Sequence, residues 1–120
     1  MLSINVENIG ELAVVECEGR IVQKDAAAKL RKAVTSQTDA RIVVLELSEV
    51  HSIEGGGLGM LIFLRRWARD HNIRFLLLNP SKSVRYGLKR IKAISEFYIP
   101  STEEMAALLI YASSRQALAA

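Results

Sequence analysis

Cysteine and histidine are scarce here: one Cys and two His in the whole chain. Each scarcity excludes something. The lone Cys17 cannot form an intramolecular disulfide and fits a reducing compartment, so a cytoplasmic protein is expected. His51 and His71 have no Cys or further His at ligand spacing, so no metal site is expected. Apolar runs fall well short of the roughly 18 residues of a membrane span. The first residues, Met-Leu-Ser-Ile-Asn-Val-Glu, lack the basic and apolar regions of a signal peptide. No direct membrane insertion is therefore expected. There is no low-complexity stretch and no credible linker, which predicts one domain over residues 1–120. Two familiar nucleotide signatures are missing as well. The glycine cluster at Gly55–Gly57 has no lysine where a phosphate-binding loop needs one, and Ile62 occupies the last glycine position of a dinucleotide fingerprint. No Ser-His-Asp order stands out, and Glu46, Glu49 and Glu54 form a local acidic group without a recognisable pocket. Neither a catalytic site nor a cofactor is expected, and the protein reads as a non-enzyme.

What is present suits a globular domain. Hydrophobic residues make up 50% and charged residues 24%, enough apolar side chain for one core. The net charge of +3 is met by ordinary surface lysines and arginines and does not call for nucleic acid. Residues 2–7 and 11–18 alternate with period two and predict an antiparallel hairpin turning at Asn8-Ile-Gly10. Cys17 falls on its apolar face, as a small buried hydrophobe. Gly19-Arg20 reads as the end of that strand. A helix over Ala26–Ser36 follows, capped by Asp25, with Ala26, Leu30, Ala33 and Val34 as its stripe. Ile42, Val43, Val44, Leu45 and Leu47 form a nearly continuous branched run over 41–47, the pattern of a strand covered on both faces.

That strand passes through a short polar loop and three glycines into a helix over 58–70. A strand entering a helix this way puts backbone N–H groups and a positive dipole end at the sheet's carboxyl edge, where open sheets bind ligands or partners. Three successive glycines cost more backbone entropy than a turn requires, which suggests close approach of something to this backbone. At about 100° per residue, Gly57, Leu61, Leu64 and Ala68 share the core face, with Phe63 and Trp67 also read as core. Leu58 and Ile62 fall among Arg65, Arg66 and Arg69. Two readings stay open for them: a partner surface, or burial against a neighbouring element. Further on come a strand over Ile73–Leu78, a helix from a Ser81 or Ser83 cap to about Ile94 with Val84, Leu88 and Ile91 as its seam, a short strand Phe97–Ile99, and a last helix from Glu103 to about Ser113. The expected class is α/β: a mixed sheet with helices, in the order ββαβαβαβα.

Glu46-Leu-Ser-Glu-Val-His-Ser-Ile-Glu-Gly-Gly-Gly-Leu-Gly59 resembles the signature of the STAS family, the anti-sigma factor antagonist domains, which reads Asp-Leu-Ser-x-Val-x-x-Ile-Asp-Ser-Ser-Gly-Leu-Gly. Asn79-Pro80 before a helix, Phe97-Tyr-Ile99 and the Ser-Thr-Glu-Glu helix start resemble the family's second half. The resemblance implies partner switching: the protein binds an anti-sigma factor that is also a serine kinase, and phosphorylation of the first serine after the family's Asp breaks the complex. Here the Asp position is Glu54 and the acceptor position is Gly55, which has no hydroxyl, so no phosphorylation is expected there. Ser52 stands in a different register and reads as a loop residue. The implied partner surface is His51, Ser52, Ile53, Glu54, Gly55, Gly56, Gly57 and Leu58, with Ile62, Arg65, Arg66 and Arg69. STAS-like domains also serve as soluble subunits of membrane transport complexes, including phospholipid-trafficking ABC systems, which is the alternative role. A homodimer is compatible with either.

Overall fold

A computed structural model describes residues 1–119. Its elements run β1 (Leu2–Ile9), β2 (Leu12–Ile21), α1 (Lys24–Thr35), β3 (Ile42–Ile53), α2 (Gly55–Asp70), β4 (Arg74–Leu78), α3 (Lys82–Arg90), a one-turn 3₁₀ helix (Ile94–Glu96) and α4 (Thr102–Ala119). The sheet order is β1-β2-β3-β4. β1 and β2 are antiparallel, while β2, β3 and β4 are mutually parallel. The expected last strand at Phe97–Ile99 is reduced to one parallel bridge, Leu76 with Tyr98.

β3 explains the architecture. Val43, Leu45 and Leu47 point into the main core, where they meet Leu30 and Val34 of α1, Leu61 and Leu64 of α2, and Val84 and Leu88 of α3. Val44 points the other way, into a small cluster with Leu12, Leu76, Met105 and Ala112. Both faces of the strand are covered, so the branched run needs no alternation. α1, α2 and α3 therefore layer one face of the sheet, and α4 lies across part of the other.

Several boundaries depart from the sequence reading. β2 does not stop at Gly19-Arg20 but runs to Ile21, with register shifts at Glu16/Glu18 and Gly19/Arg20. Gly19 sits at φ +121, and a Cβ there would come 2.1 Å from the Met1 carbonyl oxygen. The glycine lets the strand bulge rather than end. β3 likewise continues through Ser48–Ser52, which had read as a loop, pairing Arg20 with Ser52 and Ile21 with Ile53. α1 starts two residues early, at Lys24: Gln23 is its cap residue and Asp25 lies inside the first turn, favouring the helix through its dipole instead. Ala27, not Ala26, is its buried alanine. α3 ends at Arg90, so Ile91 is exposed instead of closing the seam. Phe63 is also exposed, with the Arg31 guanidinium 5.1 Å from its ring centroid. α4 continues through the stretch after Ser113 as far as Ala119.

Candidate functional site

The candidate edge is where β3 feeds α2. Ile53 closes the strand, Glu54 is extended at φ −142 and ψ 163, and α2 begins at Gly55. The glycines are thus the first turn of the helix, not a loop before it. The Gly57 N–H donates to the Glu54 carbonyl at 2.7 Å. Helix geometry leaves the earlier N–H groups of that turn without intrahelical acceptors, at the positive end of the dipole.

The glycines divide by the direction they face. Gly57 faces inward: a Cβ there would lie 2.3 Å from the Ile21 carbonyl oxygen and 2.8 Å from Cγ1 of Ile53. Its lack of a side chain lets α2 sit on the ends of β2 and β3. Gly55, Gly56 and Gly59 face open space, with no atom within 4 Å of an added Cβ. Gly55 is also at φ +27, a left-handed backbone that costs an L-residue roughly 1–2 kcal/mol.

Of the residues expected at a partner surface, the structure removes some and gathers others. Ile53, Gly57 and Leu58 are buried. Leu58 packs on Gly87 of α3, where a Cβ would meet its Cδ2 at 2.9 Å. That contact is non-local and decides the open question for Leu58 in favour of burial. Ile62 is half-buried against the main core. Arg65 is occupied: its Nε donates to the Glu96 carbonyl at 2.7 Å, and its guanidinium lies 3.7 Å from the Glu96 carboxylate. Gly55, Gly59, Ile62, Arg66 and Arg69 fall at i, i+4, i+7, i+11 and i+14 of α2, one outward stripe. His51, Glu54 and Gly56 are exposed beside it, and Ser52 is half-buried.

The edge is braced by side chains that the sequence reading did not assign to it. The Ser81 hydroxyl donates to the Val50 carbonyl at 2.7 Å and also accepts from the Val84 N–H, capping α3. The Ser83 hydroxyl donates to the His51 carbonyl at 2.7 Å. Arg20 Nε donates to the Ser52 hydroxyl at 3.2 Å. The cap signal at Ser81 was readable; its reach back to β3 depends on the fold. Glu46 has a bracing role too. Its carboxylate accepts from the Ser48 N–H and hydroxyl at 3.0 and 2.9 Å, and from Asn79 Nδ2 at 3.3 Å. Among the described residues no group of three His, Cys, Asp or Glu could hold a metal. Burial first, and then the charge of Glu46, pushes the Cys17 thiol from its ordinary 9.0 up to about 12. A thiol held protonated in this way is inert as a nucleophile.

The model of the STAS domain family matches residues 3–106. The chain belongs to the STAS family. No curated protein matches it in sequence. Among solved structures, this STAS domain resembles the anti-sigma factor antagonist SpoIIAA in its unphosphorylated form, at a TM-score of 0.71 and 17% identity, covering 87% of this chain and 93% of that one. It resembles an anti-sigma factor antagonist from Mycobacterium paratuberculosis at a TM-score of 0.74 and 17% identity, covering 91% and 94%. It also resembles part of SLC26A9, at a TM-score of 0.68 and 13% identity, covering 93% of this chain but 21% of that one. At these identities the likeness establishes the fold. Among the described residues no helix is long and apolar enough to cross a membrane.

Proposed function

We propose that this STAS domain is a non-enzymatic regulatory binding protein of the anti-sigma factor antagonist kind, docking a protein partner on the α2 stripe at the carboxyl edge of β3. The observation that carries this is the division of the glycines. Packing uses Gly57; Gly55, Gly56 and Gly59 leave a bare backbone facing outward. A partner surface can reach that backbone at van der Waals contact, flanked by Ile62, Arg66 and Arg69 as an apolar and cationic rim. The partner implied is an anti-sigma factor of the serine-kinase type. Phosphorylation at position 55 plays no part, because Gly55 carries no hydroxyl. Ser52 is a poor substitute, being half-buried and hydrogen-bonded by Arg20.

A second reading has its own support. The fold also occurs as 21% of the much longer SLC26A9 chain, so a STAS domain can serve as one module of a larger machine. On this reading the same stripe docks a component of a membrane transport complex. A photo-crosslinking residue at Gly59, where nothing crowds a side chain, distinguishes the two in the source cell. Crosslinking to a kinase-like regulator supports the first reading, and crosslinking to a transport ATPase or permease supports the second. If a probe at Glu7 captures a partner and the probe at Gly59 captures none, the edge is not the docking site.

A further inference from the structure

Charge in this molecule is sorted by face. α1, α2 and α3 together carry eleven basic side chains and two acidic ones, a net of +9 on the layer covering one side of the sheet. The rest of the chain holds a net of −6, giving the overall +3. On the uncovered part of the opposite face, Glu16 pairs in register with Glu46 and Glu18 with Glu49. The densest positive region is α3 and its end: Lys82, Arg85, Lys89, Arg90 and Lys92, with no acidic residue between 82 and 92. All five are exposed. The two ion pairs among the described residues, Arg41–Glu11 and Arg65–Glu96, involve none of them. Lys82, Arg85, Tyr86 and Lys89 follow i, i+3, i+4, i+7 and share one outward stripe, while Val84, Gly87 and Leu88 are buried beneath it. Tyr86 is 70% exposed in the middle of the stripe.

We infer that the α3 stripe, backed by the positive helical layer, docks on an anionic phospholipid surface. Five unpaired cations on a broad layer match a sheet of anionic headgroups, each contributing attraction that falls off within a Debye length. Tyr86 favours a bilayer over a nucleic acid. A ring with an apolar body and polar tip gains free energy at a headgroup interface; the phosphate backbone of a duplex offers that ring no apolar phase. The glutamates on the far face repel the same surface, so the field of the molecule orients it with α3 inward. The attachment is peripheral, and because its test uses no protein partner, its failure is told apart from failure of the α2 reading.

The test is co-sedimentation of the whole chain with vesicles of phosphatidylcholine containing about one-third phosphatidylserine, at about 100 mM salt. The expected result is binding to these vesicles, little to pure phosphatidylcholine, and a loss of at least about tenfold in the triple variant Lys82→Glu/Arg85→Glu/Lys89→Glu. Arg41→Glu/Arg115→Glu, outside the layer, keeps binding, and Tyr86→Ala weakens it where Tyr86→Trp does not. Circular dichroism and melting confirm that each variant is folded. Absence of binding to the anionic vesicles overturns the inference. So does undiminished binding by the folded triple variant, or tighter binding to duplex DNA or to a poly-glutamate peptide than to vesicles at the same salt.

Discussion

The two faces of the sheet are built differently. Under α1–α3 lies one continuous core reaching from Leu2 on β1 to Phe97 beyond α3, with Leu45, Leu61 and Leu88 fully buried. Under α4 lies a cluster of five buried residues, and α4 itself leaves Ile110 and Tyr111 exposed at 68% and 62%. Beyond the reach of α4 the second face is bare and acidic. The comparison teaches that stability resides in one layer, while the other side of the sheet is held by a light clamp. It also separates support from recognition within α2, whose inner half is packed to contact and whose outer half is open.

The largest effect that could break the comparison is in the core. Leu45→Ala is expected to cost about 3–4 kcal/mol and Met105→Ala, under α4, about 2 kcal/mol. Urea unfolding of the two variants measures both; equal costs would mean that the two faces contribute alike. Next comes Gly57→Ala, expected to cost about 2–3 kcal/mol, because its Cβ runs into the Ile21 carbonyl and Ile53 with no flexible atom to give way. Gly59→Ala, two residues on and facing outward, is expected to stabilise by about 0.5–1 kcal/mol through helix propensity. Opposite signs from one helical turn would sharpen the contrast between its inner and outer sides.

A smaller effect belongs to Cys17 in the main core. Between its ordinary 9.0 and about 12, the unfolded chain gives up a proton that the folded chain keeps. Stability therefore falls as pH rises through that window, by up to about 1.4 kcal/mol per pH unit from this group. Cys17→Ala is expected to remove this part of the slope, measured as the difference between parent and variant in denaturant unfolding from neutral pH to pH about 10.5. Parallel profiles would show that the thiol is not held protonated by burial.

The sequence revealed the main face more clearly than the second. The branched run of β3 announced burial on both sides because four apolar residues, Ile42 to Leu45, follow one another before Glu46. Leu30, Val34, Leu61, Leu64 and Val84 stood at helical spacing and are buried as expected. The errors cluster where the decisive contact is distant. Ser48–Ser52 looked like a loop, yet on the bare part of the sheet a strand can carry polar residues outward while Val50 and Ile53 remain buried. Leu58 could be placed only once Gly87 was seen beneath it. Phe63 read as core, but it lies at the surface against Arg31. Within the glycine run, the sequence could not say which glycine packing required. Only the carbonyl of Ile21, from another strand, singles out Gly57.

The central claim is that the open first turn of α2 touches a partner, and Gly56→Asp tests it most directly. Gly55 is the wrong probe, because its φ of +27 would confuse strain with lost contact. At Gly56 nothing crowds a side chain, and a carboxylate in the first turn stabilises the helix by about 0.3–1 kcal/mol. The variant should therefore melt at or slightly above the parent's temperature. The measurement is calorimetric affinity for the protein captured at Gly59, parent against Gly56→Asp, with both melts recorded. Binding weakened about tenfold or more, with the fold intact, is the predicted result, roughly the scale of one unfavourable charge at a packed interface. An equal affinity in the two proteins would contradict the account and move the docking surface away from this edge.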